Sequence, residues 1–411
     1  MEQPLNSLSK ILIIENRLYK NLSDDITQYF DYCTLTYYLS EFFKQYSLYL
    51  SKEYKYKSRK VLKELLKKIS KNSYGLEINV TWNGIIGILY IMRSLNENKE
   101  LDNKINYLEK QLENMVYKLL LKKEYKLQNT DFDIISGLAG IGLYYLYVNY
   151  NNIGLLHKIT FRLLDMLESI DTLGLHQLYK PKINIISNFQ TDYSISHGIL
   201  GVLYYLSLYY KRTNNKFILK IIKQSLQIYI KFFFDKDHNH ITRFPSISKY
   251  VDGNIQFYYS TRTVWCYGSI GSFRGLYLIA DNINDGNLKK LVIKEIQNFN
   301  NSKISGYNLI CPTFCHGLSG LYLILSLFNK ESTKLNLEYE IKKIEEKIWS
   351  YYDEKLPYCF PKYDDDGKGL RKNIYDSSSF ISGSVSIAVA YLLKNCQKIE
   401  KNYFMYSLAL E

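Results

Sequence analysis

Apolar positions along this chain follow two alternating patterns. Residues 57–72 place Val61, Leu62, Leu65, Leu66 and Ile69 on one side at helical spacing, with lysines on the other. Residues 104–121 repeat that layout with Ile105, Leu108, Leu112, Met115, Leu119 and Leu120. Between such amphipathic stretches stand shorter runs that are apolar nearly all round, each opening on glycine. Gly84-Ile85-Ile86-Gly87, Gly137-Leu138-Ala139-Gly140, Gly198-Ile199-Leu200-Gly201, Gly268-Ser269-Ile270-Gly271 and Gly317-Leu318-Ser319-Gly320 share the form Gly-x-x-Gly. Gly383-Ser384-Val385-Ser386 is a last copy without its second glycine. The first glycines recur about every 50 to 70 residues, the length of a helix pair with its loops.

A one-sided helix belongs on the outside of a fold and an all-round apolar one inside. The alternation predicts an all-α chain whose inner and outer helices wrap into a closed ring. Glycine at each inner helix start then lets backbones approach where the ring narrows. An open superhelical solenoid is the competing arrangement. Residues 30–50 are densely apolar, lie about one period before Gly84 and read as a glycine-free seventh copy. Two stretches break the pattern, 171–196 and 235–262. Both read as loops or small insertions with some strand character, not as separate domains.

Composition narrows the picture. The 411 residues carry only six prolines and 21 glycines, which suits helices without long linkers. No apolar run reaches the roughly 18 residues a membrane span needs, and the amino terminus lacks the layout of a secretion signal. Six cysteines in a chain this long do not make a disulfide scaffold; in a cytosolic protein, clustered cysteines point to metal or catalysis. A net charge of +13 favours acidic partners, whether nucleic acid, anionic membrane or acidic peptide. The basic residues are spread over helix faces, however, and charge alone does not choose among them.

The candidate chemistry shares the glycine phase. Four of the scarce cysteines and histidines (His197, Cys266, Cys315 and His316) fall in the one or two positions before a repeat glycine. In a closed ring they meet at one mouth of the central cavity. Cys266, Cys315 and His316 offer two sulfurs and a nitrogen, leaving a tetrahedral zinc one open position, the pattern of a catalytic site. Two thiolates favour a third sulfur there. Adjacent residues on a regular helix point about 100° apart, so Cys315 and His316 converge only on irregular backbone, which the position before Gly317 allows. Taken singly, each reads better as a buried cysteine or a satisfied core histidine; the metal reading rests on the set.

His197 is not needed to complete the metal set and is a candidate general acid/base. Asp133, four residues before Gly137, and Arg262, six before Gly268, are placed to orient His197 or steady an oxyanion; each alone also reads as a cap or surface pair. Tyr267 is a candidate hydrogen-bond donor into the cavity, and Trp265 reads as packing. Cys311 stands in C-x-x-x-C-H spacing, wrong for covalent haem, and is taken as structural along with Cys33, Cys359 and Cys396.

The blocks Trp265-Cys266-Tyr267-Gly268, Cys315-His316-Gly317 and Ser196-His197-Gly198, with Asp133 before Gly-Leu-Ala-Gly, resemble the lanthionine synthetase C family, the lantibiotic cyclases. The resemblance runs over roughly residues 30–395 and implies an α/α toroid of seven inner and seven outer helices. On that pattern the zinc ligands fall on Cys266, Cys315 and His316. The active-site histidine, aspartate, arginine and tyrosine fall on His197, Asp133, Arg262 and Tyr267. The implied reaction is zinc-dependent addition of a precursor-peptide cysteine thiol to dehydroalanine or dehydrobutyrine, closing a thioether ring. A thiol-adding enzyme that uses glutathione, and a non-catalytic peptide-binding toroid with structural zinc, are the alternatives; a ring-shaped glycosidase lacks its second carboxylate.

The resemblance also implies partners: a dehydrated precursor peptide with its leader, a separate dehydratase and a membrane transporter complex, with no nucleic acid. It implies a cytoplasmic enzyme held at the membrane through that complex. Residues 1–411 are expected to form a single cyclase domain, with a leader-contact insertion at about 171–196. The missing glycines of the first and last copies are expected to affect packing at the ring's seam more than catalysis.

Overall fold

Helices of two kinds make up most of the computed structural model. It describes residues 2–411 except 24, 72–75, 80–83, 122–128, 149–151, 172–189, 235–243, 252–253, 261, 302–306, 366–369, 397–398 and 400–401. The amphipathic kind comprises α1 (Glu2–Lys20), α3 (Leu48–Lys71), α5 (Asp102–Leu120), α8 (Ile153–Asp171), α10 (Lys216–Phe234), α12 (Gly286–Gln297) and α14 (Glu338–Trp349). The buried kind comprises α2 (Ile26–Phe43), α4 (Ile85–Leu95), α7 (Leu138–Tyr147), α9 (Ile199–Thr213), α11 (Ser269–Asn282), α13 (Leu318–Glu331) and α15 (Ser384–Asn395). Two short helices, α6 (Asn129–Phe132) and α16 (Tyr403–Ser407), complete the set among the described residues.

The two kinds differ as their patterns require. Helix α3 buries Tyr54, Ser58, Val61, Leu62, Leu65 and Leu66, a single stripe. Helix α7 buries every residue from Leu138 to Tyr145. Each leucine so buried contributes about 1.5–3 kcal/mol, which is why the short α7 needs no strong caps. Among the described residues no helix is long and apolar enough to cross a membrane.

The chain divides into two compact units, one of Met1–Glu77, Thr81–Leu108 and Ile304–Tyr403, the other of Ile78–Val80, Glu109–Lys303 and Phe404–Glu411. In the first, α2 packs on α3, α4 and α15, and α13 packs on α14 and α15. Asp31, buried on α2, accepts hydrogen bonds from Ser378 Oγ at 2.7 Å and Phe380 N at 2.8 Å, tying α2 to the loop before α15. Burial pushes its carboxyl up to about 7, against the two hydrogen bonds that lower it. In the second unit, α9 packs on α7, α10 and α11, and α11 on α12.

The irregular stretches carry the expected strands. In the second unit β1 (Gln190–Asp192), β2 (Pro245–Val251) and β3 (Asn254–Tyr259) form an antiparallel sheet in that order, with Thr191 opposite Ser248 and Ser248 opposite Phe257. Most of the leader-contact segment proposed at 171–196 lies outside the described residues. A hairpin of β4 (Pro361–Asp365) and β5 (Leu370–Asp376) in the first unit is an addition to the sequence reading.

Two expectations change in detail. The glycine-free copy is Ile26–Phe43, not 30–50, which straddles the end of one helix and the start of the next. Its start is capped by Asp25, whose side chain accepts from Thr27 N, so glycine is not needed there. The first repeat glycines also have a different purpose from the one expected. They sit in extended conformation just before the helix, and a side chain at Gly317 would run into the carbonyls of Cys311 and Thr313, in its own preceding loop. Approach of a neighbouring element is the business of later glycines: a side chain at Gly275 would meet Ile195 and Leu200.

Candidate active site

The loops before α7, α9, α11, α13 and α15 fold back on the helix start, and the residue four before the glycine often organises them. In the loop before α7 this residue is Asp133, fully buried. Its Oδ1 accepts the backbone N–H groups of Ile135, Ser136 and Gly137 at 3.0, 2.6 and 3.0 Å. Its Oδ2 lies 2.5 Å from His197 Nδ1. One carboxylate thus fixes its own loop with one oxygen and orients the histidine of the next repeat with the other. With Nδ1–H donated to Asp133, the neutral ring has its acceptor lone pair on Nε2.

The loop before α9 holds His197 from behind. Ser194 Oγ accepts the His197 N–H at 3.2 Å, and Asp192 Oδ1 accepts the Ser194 N–H at 2.8 Å. Burial raises the Asp192 carboxyl above the usual range. The His197 side chain keeps 30% of its surface exposed, so the ring is fixed yet reachable. Its face lies 6.0 Å from the Tyr267 ring, centroid to centroid, tilted by 34°. Ser196 Oγ donates to the Cys266 carbonyl at 3.3 Å, joining the histidine loop to the cysteine loop before α11. Arg262 opens that second loop, with its backbone N–H and carbonyl both bonded to Ser260 Oγ at 3.2 Å.

In the other unit, the loop before α13 presents Cys315 and His316. Leu318 N donates to the Cys311 carbonyl at 2.8 Å, and Ser319 Oγ to the Pro312 carbonyl at 2.5 Å, which wraps the loop round its helix start. Gly317, at φ −145° and ψ −163°, breaks helical geometry right after His316. The adjacent side chains therefore converge, with Cys315 Sγ 3.7 Å from His316 Nε2. Cys311 turns to Thr313 Oγ1 at 3.1 Å and is buried.

The ligand atoms of Cys266, Cys315 and His316 all lie within 4.8 Å of one another. Cys266 is buried and Cys315 partly exposed. Metal–ligand bonds of about 2.0–2.3 Å at tetrahedral angles put neighbouring donor atoms roughly 3.5 Å apart. The donor types and spacing therefore fit a zinc ion.

One departure in the sequence proves to bear on this centre after all. Ser386, standing where the last repeat lacks its second glycine, is buried, donates to the Gly383 carbonyl at 2.6 Å and accepts the Phe314 N–H at 3.1 Å. Phe314 immediately precedes Cys315, whose own N–H donates to the Ile381 carbonyl at 3.0 Å. The altered last repeat thus holds the Cys315–His316 loop. Ser194 and Asp192 were missed altogether in the sequence; Ser196 was named only within the Ser196-His197-Gly198 block and Ser386 only as a deviation from the glycine pattern.

Comparison with known proteins bears on the fold and the family. Nisin biosynthesis protein NisC of Lactococcus lactis subsp. lactis is 26% identical over 300 residues, covering 68% of this chain and 69% of that protein. The solved structure of nisin cyclase superposes with a TM-score of 0.71 at 20% identity, over 92% of this chain and 90% of that one. That likeness shows the fold, an α/α toroid. The family model for lanthionine synthetase C-like protein matches residues 39–405, and with this match over most of its length the chain belongs to the lanthionine synthetase C-like family.

Proposed function

We propose that this protein is a zinc-dependent lanthionine-forming cyclase of lantibiotic maturation, and that residues 1–411 act as a single cyclase domain. Its substrate is a dehydrated precursor peptide with its leader, and the reaction is intramolecular addition of a cysteine thiol to dehydroalanine or dehydrobutyrine. The observation that carries the reading is the meeting of two sulfurs and an imidazole within 4.8 Å. The likeness of this chain to NisC and nisin cyclase supports it.

Cys266, Cys315 and His316 are the residues that would hold the metal. When bound, zinc supplies the Lewis acidity that keeps an incoming thiol ionised near neutral pH. The remaining work falls to this chain's own groups. Attack of sulfur on the β-carbon forms the C–S bond and shifts an electron pair to the neighbouring carbonyl oxygen as an enolate. His197 delivers the proton that the α-carbon then needs and regains one from the next thiol. Asp133 holds the imidazole in the required tautomer and stabilises it when charged. Tyr267 and Arg262 donate hydrogen bonds to the enolate oxygen. Fixing both reacting groups of one peptide supplies much of the rate.

A separate dehydratase must make the substrate, and a membrane transporter complex is the natural recipient, which places the enzyme in the cytoplasm at the membrane face. The net charge of +13 suits an acidic leader. The test is to mix zinc-loaded protein with a dehydrated precursor and count alkylatable thiols by mass spectrometry. Thiol loss with retained peptide mass supports ring closure; an unchanged thiol count refutes it.

A further inference from the structure

Trp265 looks in sequence like a packing residue, but its polar atom is committed. The side chain is 1% exposed, and its indole N–H donates to the carbonyl of Leu408 at 3.1 Å. The residue next to it is Cys266. Its main chain is pressed from the other side, since any side chain at Gly271 would collide with the Trp265 carbonyl.

The acceptor is itself pinned. Leu408, Ala409 and Leu410 are wholly buried. Arg274 of α11, a cation 2% exposed, donates Nε and Nη2 to the Leu410 carbonyl at 2.8 and 2.6 Å. Tyr204 of α9 donates its hydroxyl to the Glu411 carbonyl at 2.5 Å. Tyr147 at the end of α7 lies against Tyr406, with ring centroids 5.1 Å apart and the planes tilted by 52°. A buried guanidinium that lost an acceptor would be costly, so residues 404–411 cannot slide without breaking the two Arg274 bonds to the Leu410 carbonyl. The Leu408 carbonyl is therefore a fixed point, two residues from that anchor.

We infer that Trp265 is a positioning residue for Cys266, and that the segment Phe404–Glu411 belongs to the metal centre's support because it holds the indole. The inference rests on the zinc reading above. Cys266 stands on the short loop between two restraints: the indole bond at Trp265, and the Ser196 hydroxyl on the Cys266 carbonyl at 3.3 Å. Removing the first lets the loop turn about the second and carries the thiol away from Cys315 and His316. Groups that orient a ligand from behind in this way are worth about 10–100-fold in metal affinity.

The experiment is chelator competition for zinc on the full chain, with wild type, Trp265→Phe and Thr160→Val. Thr160→Val removes a buried hydrogen bond to Tyr205 in the same unit, 2.6 Å long and remote from the cysteine loop in sequence. Trp265→Phe is expected to bind zinc at least tenfold more weakly, with an altered cobalt(II) absorption spectrum, while Thr160→Val keeps wild-type affinity at lowered thermal stability. Should Trp265→Phe fail to fold, 3-benzothienylalanine at position 265 keeps the ring shape and deletes only the N–H. Wild-type affinity and spectrum in the Trp265 variant overturn the inference and leave the zinc reading standing. A wild-type protein that binds no stoichiometric zinc overturns both. Equal weakening in Thr160→Val also overturns it, because a general loss of stability would then explain the effect.

Discussion

Asp133 performs two separable tasks, and a pair of substitutions divides them. Asp133→Asn keeps an oxygen that can accept the three N–H groups of Ile135, Ser136 and Gly137. It replaces the oxygen facing His197 Nδ1 with an amide donor, which forces the imidazole into the other tautomer. Exchanging a charged acceptor for a neutral one costs about 1–2 kcal/mol. Losing correctly tautomerised acid–base catalysis costs about 10²–10⁴-fold in rate. Asp133→Ala instead strands three N–H donors in a fully buried site, at about 1–3 kcal/mol each. That sum rivals the roughly 5–15 kcal/mol by which a whole domain is stable. The expected outcome is a folded Asn variant, melting close to wild type and retaining zinc, with turnover reduced at least a hundredfold. The Ala variant is expected to be largely unfolded. Thermal melts, zinc content and thiol counting by mass spectrometry report the three quantities. Wild-type turnover in Asp133→Asn would remove the aspartate–histidine pair from the mechanism. A fully stable Asp133→Ala would refute the loop-fixing role.

Three further outcomes follow from the packing. Ser386→Ala leaves the buried Phe314 N–H without its acceptor and should cost about 1–3 kcal/mol; an unchanged denaturant midpoint would contradict this. Gly317→Ala drives a side chain into the Cys311 carbonyl, whereas a side chain at Gly286 meets nothing within 4 Å. The first should therefore unfold the protein or abolish its soluble expression, and Gly286→Ala should be neutral or stabilising by up to about 1 kcal/mol. Burial holds the Asp31 carboxyl at about 7 against an ordinary 3.8, so between those values the folded chain keeps a proton that the unfolded chain has lost. Stability should accordingly fall as pH rises through that window and level off above it, by on the order of 4 kcal/mol from this group. Urea midpoints at about pH 5 and pH 8, compared between wild type and Asp31→Asn, should capture about 3 kcal/mol of it; parallel profiles would show that Asp31 ionises normally.

The alternation of one-sided and all-round apolar runs was sufficient to foretell the helix pairs, because helix burial depends on residues three and four apart and is written locally. The glycine phase was equally plain, and with it the positions of Cys266, Cys315 and His316, whose ligand atoms the fold brings within 4.8 Å. A loop that folds back on a helix start tolerates no side chain at one position, and that restriction repeats wherever the loop does. His197, before Gly198, shared the same phase and was visible for the same reason.

What the linear order concealed were bonds between loops remote along the chain. Ser386 accepting from Phe314 N, Ser196 reaching the Cys266 carbonyl and the indole of Trp265 meeting Leu408 span 72, 70 and 143 residues. Serine and tryptophan have no periodicity that announces such a partner, and a hydrogen bond depends on tenths of an ångström that only the assembled fold supplies. The sequence by itself therefore determined the helix pairs and the glycine phase that His197, Cys266, Cys315 and His316 share. The tertiary structure alone decided what holds them in place, since orientation comes from neighbours that the chain brings together only on folding.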